Sequence, residues 1–395
     1  MEATEKETSR LFNNLPVTIF TVMSALAAQH GAINLGQGFP DTDGPEWVRK
    51  IAADALLTQP NQYVPMMGLP DLRRAVAESQ KRFYGLSVDP DKEVMIACAT
   101  EGLMASFLGL LNPGDEAIVI EPYYDSYVPQ IRAAGGVVKF VRLQAPGWAL
   151  DEKTLRATFS PKTKLIVLNT PLNPLGKVFT QGELSLIAKL LQEFDAYAVC
   201  DEVYEHMVFD GGKHVPLMAL PGMRERCVRI GSAGKTFSLT GWKIGYAVAA
   251  PKLMKPVAAA HQYLTFTLNG ALQSAVAAGM RAGDEYYAGL TEHMQTRRDI
   301  LAKGLAGVGF TMLPCEGTYF LTADFAALAA KAGFKGDDRE FCVWMNEKAK
   351  VTAIPMSPFY APENAAPPRT LIRFCFAKKI EALNQAIENL RKFFG

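Results

Sequence analysis

The run Val228-Arg229-Ile230-Gly231 leads into Ser232-Ala233-Gly234-Lys235-Thr236, a turn of small residues carrying one lysine. Such a turn can serve three chemistries. A phosphate-cradling loop needs a glycine five residues before its Gly-Lys pair, and Arg229 stands there, so that reading fails on spacing. A Ser-x-x-Lys acyl-enzyme would use Ser232 as nucleophile, but its partner strings Ser-Asp-Asn and Lys-Thr-Gly occur nowhere in the chain. The third makes Lys235 a Schiff-base amine for an aldehyde cofactor, with Gly234 letting the backbone approach and Ser232 able to reach a phosphate. A solvated lysine on an ordinary turn is the plain alternative.

Other reactive residue types also follow apolar runs. Asp201, in Asp201-Glu202-Val203-Tyr204, ends the run 196–200. A carboxylate buried there would be pushed toward its neutral form unless a cation lay against it, and a protonated pyridine nitrogen is such a cation. A solvated strand-ending aspartate is the simpler reading. Two prolines stiffen Asn169-Thr170-Pro171-Leu172-Asn173-Pro174-Leu175-Gly176, so Asn173 could aim an amide at a phenolic ring oxygen or merely cap a turn. Ala99-Thr100-Glu101-Gly102 opens a helical pattern whose free N–H groups suit a phosphate ester, unless Thr100 is an ordinary N-cap. Of Tyr123 and Tyr124, one could stack on a flat ring, or both could pack in the interior. Arg373 lies inside the apolar run 371–376 and must find an anion there, either a carboxylate gripped by its fork or an internal partner.

These residues need a scaffold, and the sequence has the rhythm of one. Between residues 93 and 250, short β-branched runs at 94–97, 117–121, 137–143, 165–168, 197–200, 228–231 and 244–249 alternate with helical patterns such as 183–194. This predicts an α/β domain whose seven-stranded, mainly parallel sheet is covered on both faces, with ligands gathering beyond the carboxyl ends of its strands. Past residue 284 come a long helical pattern (285–305), the segment 310–323, a charged helix near 337–349, a strand within 371–376 and a terminal helix over 380–394. We read a large domain over 46–284 and a smaller α+β domain made of 1–45 and 285–395, since the first segment is too short to fold alone. The Pro/Ala stretch 361–368 reads as a surface excursion.

Composition narrows the class. In 395 residues, 41 Lys and Arg face 40 Asp and Glu, a formal charge of +1, so no global field recruits nucleic acid. Hydrophobic and charged fractions of 49% and 21% are those of ordinary globular chains. The six cysteines, at 98, 200, 227, 315, 342 and 375, form no Cys-x-x-Cys pair, so we expect free thiols, a reducing compartment and no metal. Glu2, Glu5 and Glu7 against Lys6 and Arg10 are the wrong balance for a secretory leader, and the uncharged stretch 11–40 has too short an apolar part to span a bilayer. The expectation is a cytoplasmic protein without membrane partners.

Taken together, these motifs resemble the class I/II aminotransferases, pyridoxal-phosphate enzymes of fold type I, over nearly the whole chain. The string Ser-Ala-Gly-Lys-Thr-Phe-Ser-Leu-Thr-Gly-Trp-Lys (232–243) is similar to that family's lysine signature, and the motifs follow in the same order. The resemblance implies that Lys235 bonds the cofactor aldehyde, that Asp201 pairs with the pyridine nitrogen, and that Tyr204 and Asn173 hydrogen-bond the ring oxygen. It implies that Thr100, Glu101, Ser232 and Lys243 hold the phosphate, that Tyr124 stacks on the ring and that Arg373 binds the substrate carboxylate. Tyr63, in Asn61-Gln62-Tyr63, matches a tyrosine that reaches the phosphate from the second subunit, which implies a homodimer with shared sites. The strings Leu35-Gly36-Gln37-Gly38-Phe39-Pro40 and Glu121-Pro122-Tyr123-Tyr124-Asp125-Ser126-Tyr127 look like the methionine, kynurenine and glutamine transaminase K branch. Within it, Gly38 would line the carboxylate side and Ile19–Phe20 would face the pocket, so that the amino donor is apolar, aromatic or sulfur-containing and a 2-oxo acid is the acceptor. Gly234 and Lys243 stand where many relatives have Ser and Arg, though this branch shares both, and Leu172 replaces a frequent Asn. A carbon–sulfur β-lyase on the same scaffold is the nearest alternative, because fold does not decide between them; the Ser232 acyl-enzyme is a remote one.

Overall fold

The computed structural model describes residues 6–395, so Glu2 and Glu5 of the N-terminal charge balance lie outside it. Seven strands form the large sheet in the spatial order Val94–Ala97, Gly245–Ala249, Cys227–Ser232, Tyr197–Asp201, Thr163–Asn169, Glu116–Glu121, Val137–Arg142. Gly245–Ala249 runs antiparallel to both neighbours, and the other six strands share one direction. All seven predicted runs are therefore strands, each within two residues of its expected ends.

Helices cover both faces, which is why the central strands read as unbroken apolar runs rather than alternating ones. Along Val94–Ala97, Val94 and Ile96 enter the core on one face, and Met95 and Ala97 the core on the other, as the two-residue period of a strand requires. The first of these cores continues without a break into a second, antiparallel sheet of order Ile354–Pro355, Leu371–Cys375, Phe320–Asp324, Thr311–Met312. Around that sheet lie the helices Asp284–Val308, Asp338–Ala349 and Ile380–Phe394. The N-terminal segment joins this part through Ile33–Asn34, which pairs in parallel with Val351–Thr352.

Two expectations are refined. The segment 310–323 is two strands separated by a turn, the first only two residues long and so without a readable period. The Pro/Ala stretch 361–368 is a surface excursion as expected, with residues 362–366 exposed, but it is tied down: the Ala361 N–H and the Asn364 amide both donate to the buried carboxylate of Glu121, and Arg142 donates to the carbonyls of Ala365 and Ala366.

Candidate active site

Six strands running one way bring their carboxyl ends to one edge of the sheet, and the amino end of the antiparallel strand Gly245–Ala249 lies at the same edge. A cavity of about 310 Å³ opens there. From the sheet it is lined by Thr100, Tyr124, Asn173, Asp201 and Tyr204, and by Ser232, Lys235 and Lys243 of the lysine turn. From the N-terminal segment and the second sheet come Phe20, Gly38 and Arg373.

Three expectations do not hold as stated. Glu101 is not among the cavity's walls; its carboxylate lies 2.9 Å from His261 Nδ1, and two negative groups would repel, so a phosphate can use only its backbone N–H. Thr100 is not an N-cap either. The Ala99–Leu110 helix starts from Cys98, which gives no side-chain cap, leaving the N–H groups of its first turn free beside the cavity. Ile19 packs against the core while only Phe20 reaches the cavity. Tyr63 lies away from its own chain's cavity, 84% exposed, with its ring edge-on to Phe266. The tyrosine pair divides its labour: Tyr123 stacks on Phe140 in the interior, and Tyr124 faces the cavity.

Asp201 ends its strand 5% exposed. Burial pushes its carboxyl above the usual range, opposed by a 2.6 Å bond from the Tyr127 hydroxyl, by the Val203 N–H and by the charge of Lys235. No cation is in contact with it among the described residues. The loop that follows the neighbouring strand is tied to this one, because Asn169 donates to the Asp201 carbonyl at 2.7 Å and accepts from the Asn173 N–H at 2.8 Å.

Arg373 sits mid-strand, opposite Thr322 and Ile354, and is 1% exposed. Its fork donates to Asn173 Oδ1 at 2.9 Å and to the Gly36 carbonyl at 3.0 Å, and its Nε–H has no partner. Phe320, Phe359 and Phe20 surround the guanidinium at 3.9, 5.1 and 5.2 Å. Burial lowers its pKa to about 10. Of the two anions considered for it, the internal one is missing: no carboxylate forms an ion pair with Arg373 among the described residues. Since Arg373 takes Asn173 Oδ1, the Asn173 amide N–H groups remain available to a ligand.

Sequence reasoning missed Tyr127, Tyr319 and Phe320. Tyr319 is fully buried, yet its hydroxyl lies 2.8 Å from Lys235 Nζ. Tyr127 entered only as the end of a family-like string, and Tyr319 and Phe320 carry no motif of their own; an aromatic in an apolar run reads as core until the fold shows what its polar end meets.

An amine, a buried carboxylate without a counter-ion, free helix N–H groups and an unneutralised arginine, all around one cavity at the carboxyl edge of a doubly covered sheet, define an enzyme built around an anionic aldehyde cofactor. The comparisons give the same class. Residues 30–390 match the family model of aminotransferase class I and II. The crystal structure of YbdL from Escherichia coli, whose reactivity identified a methionine aminotransferase function, superposes with a TM-score of 0.93 at 41% identity, covering 98% of this chain and 100% of that one. A probable N-succinyldiaminopimelate aminotransferase, DapC, from Mycobacterium tuberculosis is 43% identical over 94% of this chain and 95% of its own length. Kynurenine–oxoglutarate transaminase 1 of Homo sapiens is 37% identical over 93% and 94%. The chain belongs to the class I and II aminotransferases, fold type I transaminases that use pyridoxal 5′-phosphate. The Ser232 acyl-enzyme reading is displaced by this membership.

Proposed function

We propose that this transaminase moves the amino group of an L-amino acid with an apolar, aromatic or sulfur-containing side chain to a 2-oxo acid, using Lys235, Asp201 and Arg373 in the roles that the family resemblance implies. The observation that carries the reading is Arg373, a buried cation with an unpartnered N–H in a cavity that also holds a lysine amine. A charge left without an anion inside a protein is costly, and an α-carboxylate gives that fork its bidentate partner.

The residues present fit the cofactor. Asp201 lacks a cation and would gain one from a protonated ring nitrogen, Asn173 and Tyr204 offer donors to the ring oxygen, and Tyr124 offers a flat face. Ser232, Thr100, Lys243 and the first-turn N–H groups would take the phosphate. When bound, the cofactor supplies an aldehyde for the substrate amine and a ring that accepts electrons from the Cα–H bond. Lys235 Nζ is the amine placed to move the Cα proton, and Asp201 holds a proton on the ring nitrogen. The walls at Phe20, Leu103 and Phe320 support an apolar substrate side chain, and the methionine and kynurenine names among the relatives agree with it.

Tyr63, exposed and remote from its own cavity, supports a homodimer whose sites take this residue from the partner. Six unpaired cysteines, and no helix among the described residues long and apolar enough to cross a membrane, are compatible with the cytoplasm. We take 46–284 as the large domain and 1–45 with 285–395 as the small one.

The test is chemical. Borohydride reduction of the loaded enzyme followed by peptide mapping should place the cofactor adduct on Lys235, and Lys235→Ala should lose turnover, covalent attachment and the visible band together. An adduct on another lysine refutes the assignment.

A further inference from the structure

We infer that Tyr319 is a positioning residue for Lys235, fixing the free amine against the substrate-binding segment Gly36–Gly38. This inference rests on the proposed role of Lys235.

The Tyr319 hydroxyl lies 2.8 Å from the Gly38 carbonyl and 2.8 Å from Lys235 Nζ. A carbonyl only accepts, so the single hydroxyl proton points to Gly38, and the oxygen's lone pair accepts an N–H from Lys235. Tyr319 in this arrangement is an anchor rather than an acid or base: it takes no proton from the lysine and gives none to it. One N–H of Lys235 is committed to Tyr319, which restricts where the nitrogen's other N–H groups, or its lone pair, can point.

The anchor is itself fixed. Tyr319 has no solvent exposure, and its ring is wedged edge-on between Tyr204 at 5.1 Å and Phe320 at 4.8 Å. Lys235 Nζ lies 5.5 Å from the ring centres of both Tyr204 and Tyr319. The Gly36–Gly38 segment closes the arrangement, because Gly36 accepts from Arg373 and Gly38 accepts from Tyr319. A Cβ at Gly38 would stand 3.0 Å from the Phe320 ring and 3.8 Å from Arg373 Nη2, so glycine lets the segment lie this close to both. The group that binds the carboxylate and the group that steadies the amine thus share three residues of backbone.

The consequence falls on one step. Bonded to a loaded cofactor, Lys235 would need no anchor; as a free amine it would have to be held within reach of the substrate Cα. There its lone pair takes the Cα proton, and the C–H electron pair stays with the substrate and cofactor. Tyr319→Phe keeps the ring and deletes the anchor. It should lower kcat about 10–100-fold, the range expected for a misplaced catalytic group, with the donor KM and the cofactor dissociation constant each changed less than about threefold. The kinetic isotope effect with Cα-deuterated donor should rise, because proton transfer becomes the slow step. A crystal structure of the Tyr319→Phe apoenzyme should show Lys235 Nζ displaced from its wild-type position while Gly36 remains on Arg373. Unchanged kcat and isotope effect overturn the inference, as does a kcat loss matched by an equal loss of cofactor affinity, which would mark a structural role. Borohydride mapping separates this failure from that of the underlying reading: an adduct on Lys235 in both proteins with unaltered kinetics sinks Tyr319 alone, whereas an adduct elsewhere sinks both.

Discussion

Arg373 shows how far a single side chain can be pressed. Its contacts are an amide oxygen, a backbone carbonyl and three aromatic rings, and Asp125, whose charge acts on it, makes no ion pair with it, so burial prevails. Arg373→Leu removes the carboxylate fork and also frees Asn173 Oδ1, so the amide aimed at the cofactor loses its orientation. We expect kcat/KM to fall for every α-amino acid by about 3–5 kcal/mol, the cost of breaking a buried charged pair, while the decarboxylated amine of the same donor binds unchanged. A wild-type enzyme that bound amino acid and amine equally would take this role from Arg373. At this scale the site was legible where local strings encode it: Lys235 in its small-residue turn, Asp201 after its apolar strand, Arg373 as a charge where none belongs. Tyr319 and Tyr127 were not, because their meaning lies in hydroxyl partners that tertiary packing alone supplies. Glu101 misled for the same reason, its carboxylate being drawn to His261 on a neighbouring helix far away in sequence.

Between the residue and the molecule, one turn of chain carries the geometry. Asp201 and Tyr204 face the cavity, while Glu202 and Glu205 point the other way and grip Arg229, which lies three residues before Ser232 on the neighbouring strand. Arg229 Nε is 2.5 Å from Glu202, its other nitrogens bond Glu205 and Gln80, and Tyr246 and Tyr84 donate to Glu205. One buried cation therefore ties the strand end that carries Asp201 to the strand that leads into the lysine turn. Arg229→Met takes the guanidinium from Glu205 and leaves Glu202 with His214 alone, 2.7 Å away, and should cost about 3–5 kcal/mol of unfolding free energy, read by urea denaturation; a loss below about 1 kcal/mol would show that the clamp is not needed. The same cluster sets an acid limit. Burial works to raise Glu205, but Arg229 and its other partners prevail and hold it at about 2, below its ordinary 4.5, so its contribution is complete above 4.5 and lost as pH falls toward 2. Burial drives His206 down to about 4 from 6.5, which likewise stabilises above 6.5 and fades as pH falls through 4. Stability should thus decline from about pH 6.5 downward, and Arg229→Met should flatten the lower part of that decline. None of this was readable in advance: Arg229 entered the sequence argument only as the residue that spoils a phosphate loop. The strands themselves were readable, since burial on both faces writes them as continuous apolar runs, and the one segment left undivided, 310–323, contains a strand too short to show a period.

At the scale of the whole molecule, the open question is whether one chain makes a site. Tyr63 does not line its own cavity, and it is 84% exposed, as Leu57 and Tyr263 are at 86% and 87%, large side chains that a monomer gains nothing by presenting to water. If sites are shared, each combines one subunit's Lys235 with the other's Tyr63, and two inactive variants can repair each other. In a mixed dimer of Lys235→Ala and Tyr63→Ala, one site carries both defects and the other carries neither. Random reassembly of equal amounts makes half the dimers mixed, and half the sites in each mixed dimer are intact, so about a quarter of wild-type activity should return under C₂ pairing. Refolding or co-expressing equal amounts of the two variants measures that quarter in the mixture, and the mixed species isolated by a tag on each should show about half of wild-type activity. Activity no higher than the mean of the two parent dimers would mean that every catalytic group comes from a single chain, and Tyr63 would then be only a surface aromatic.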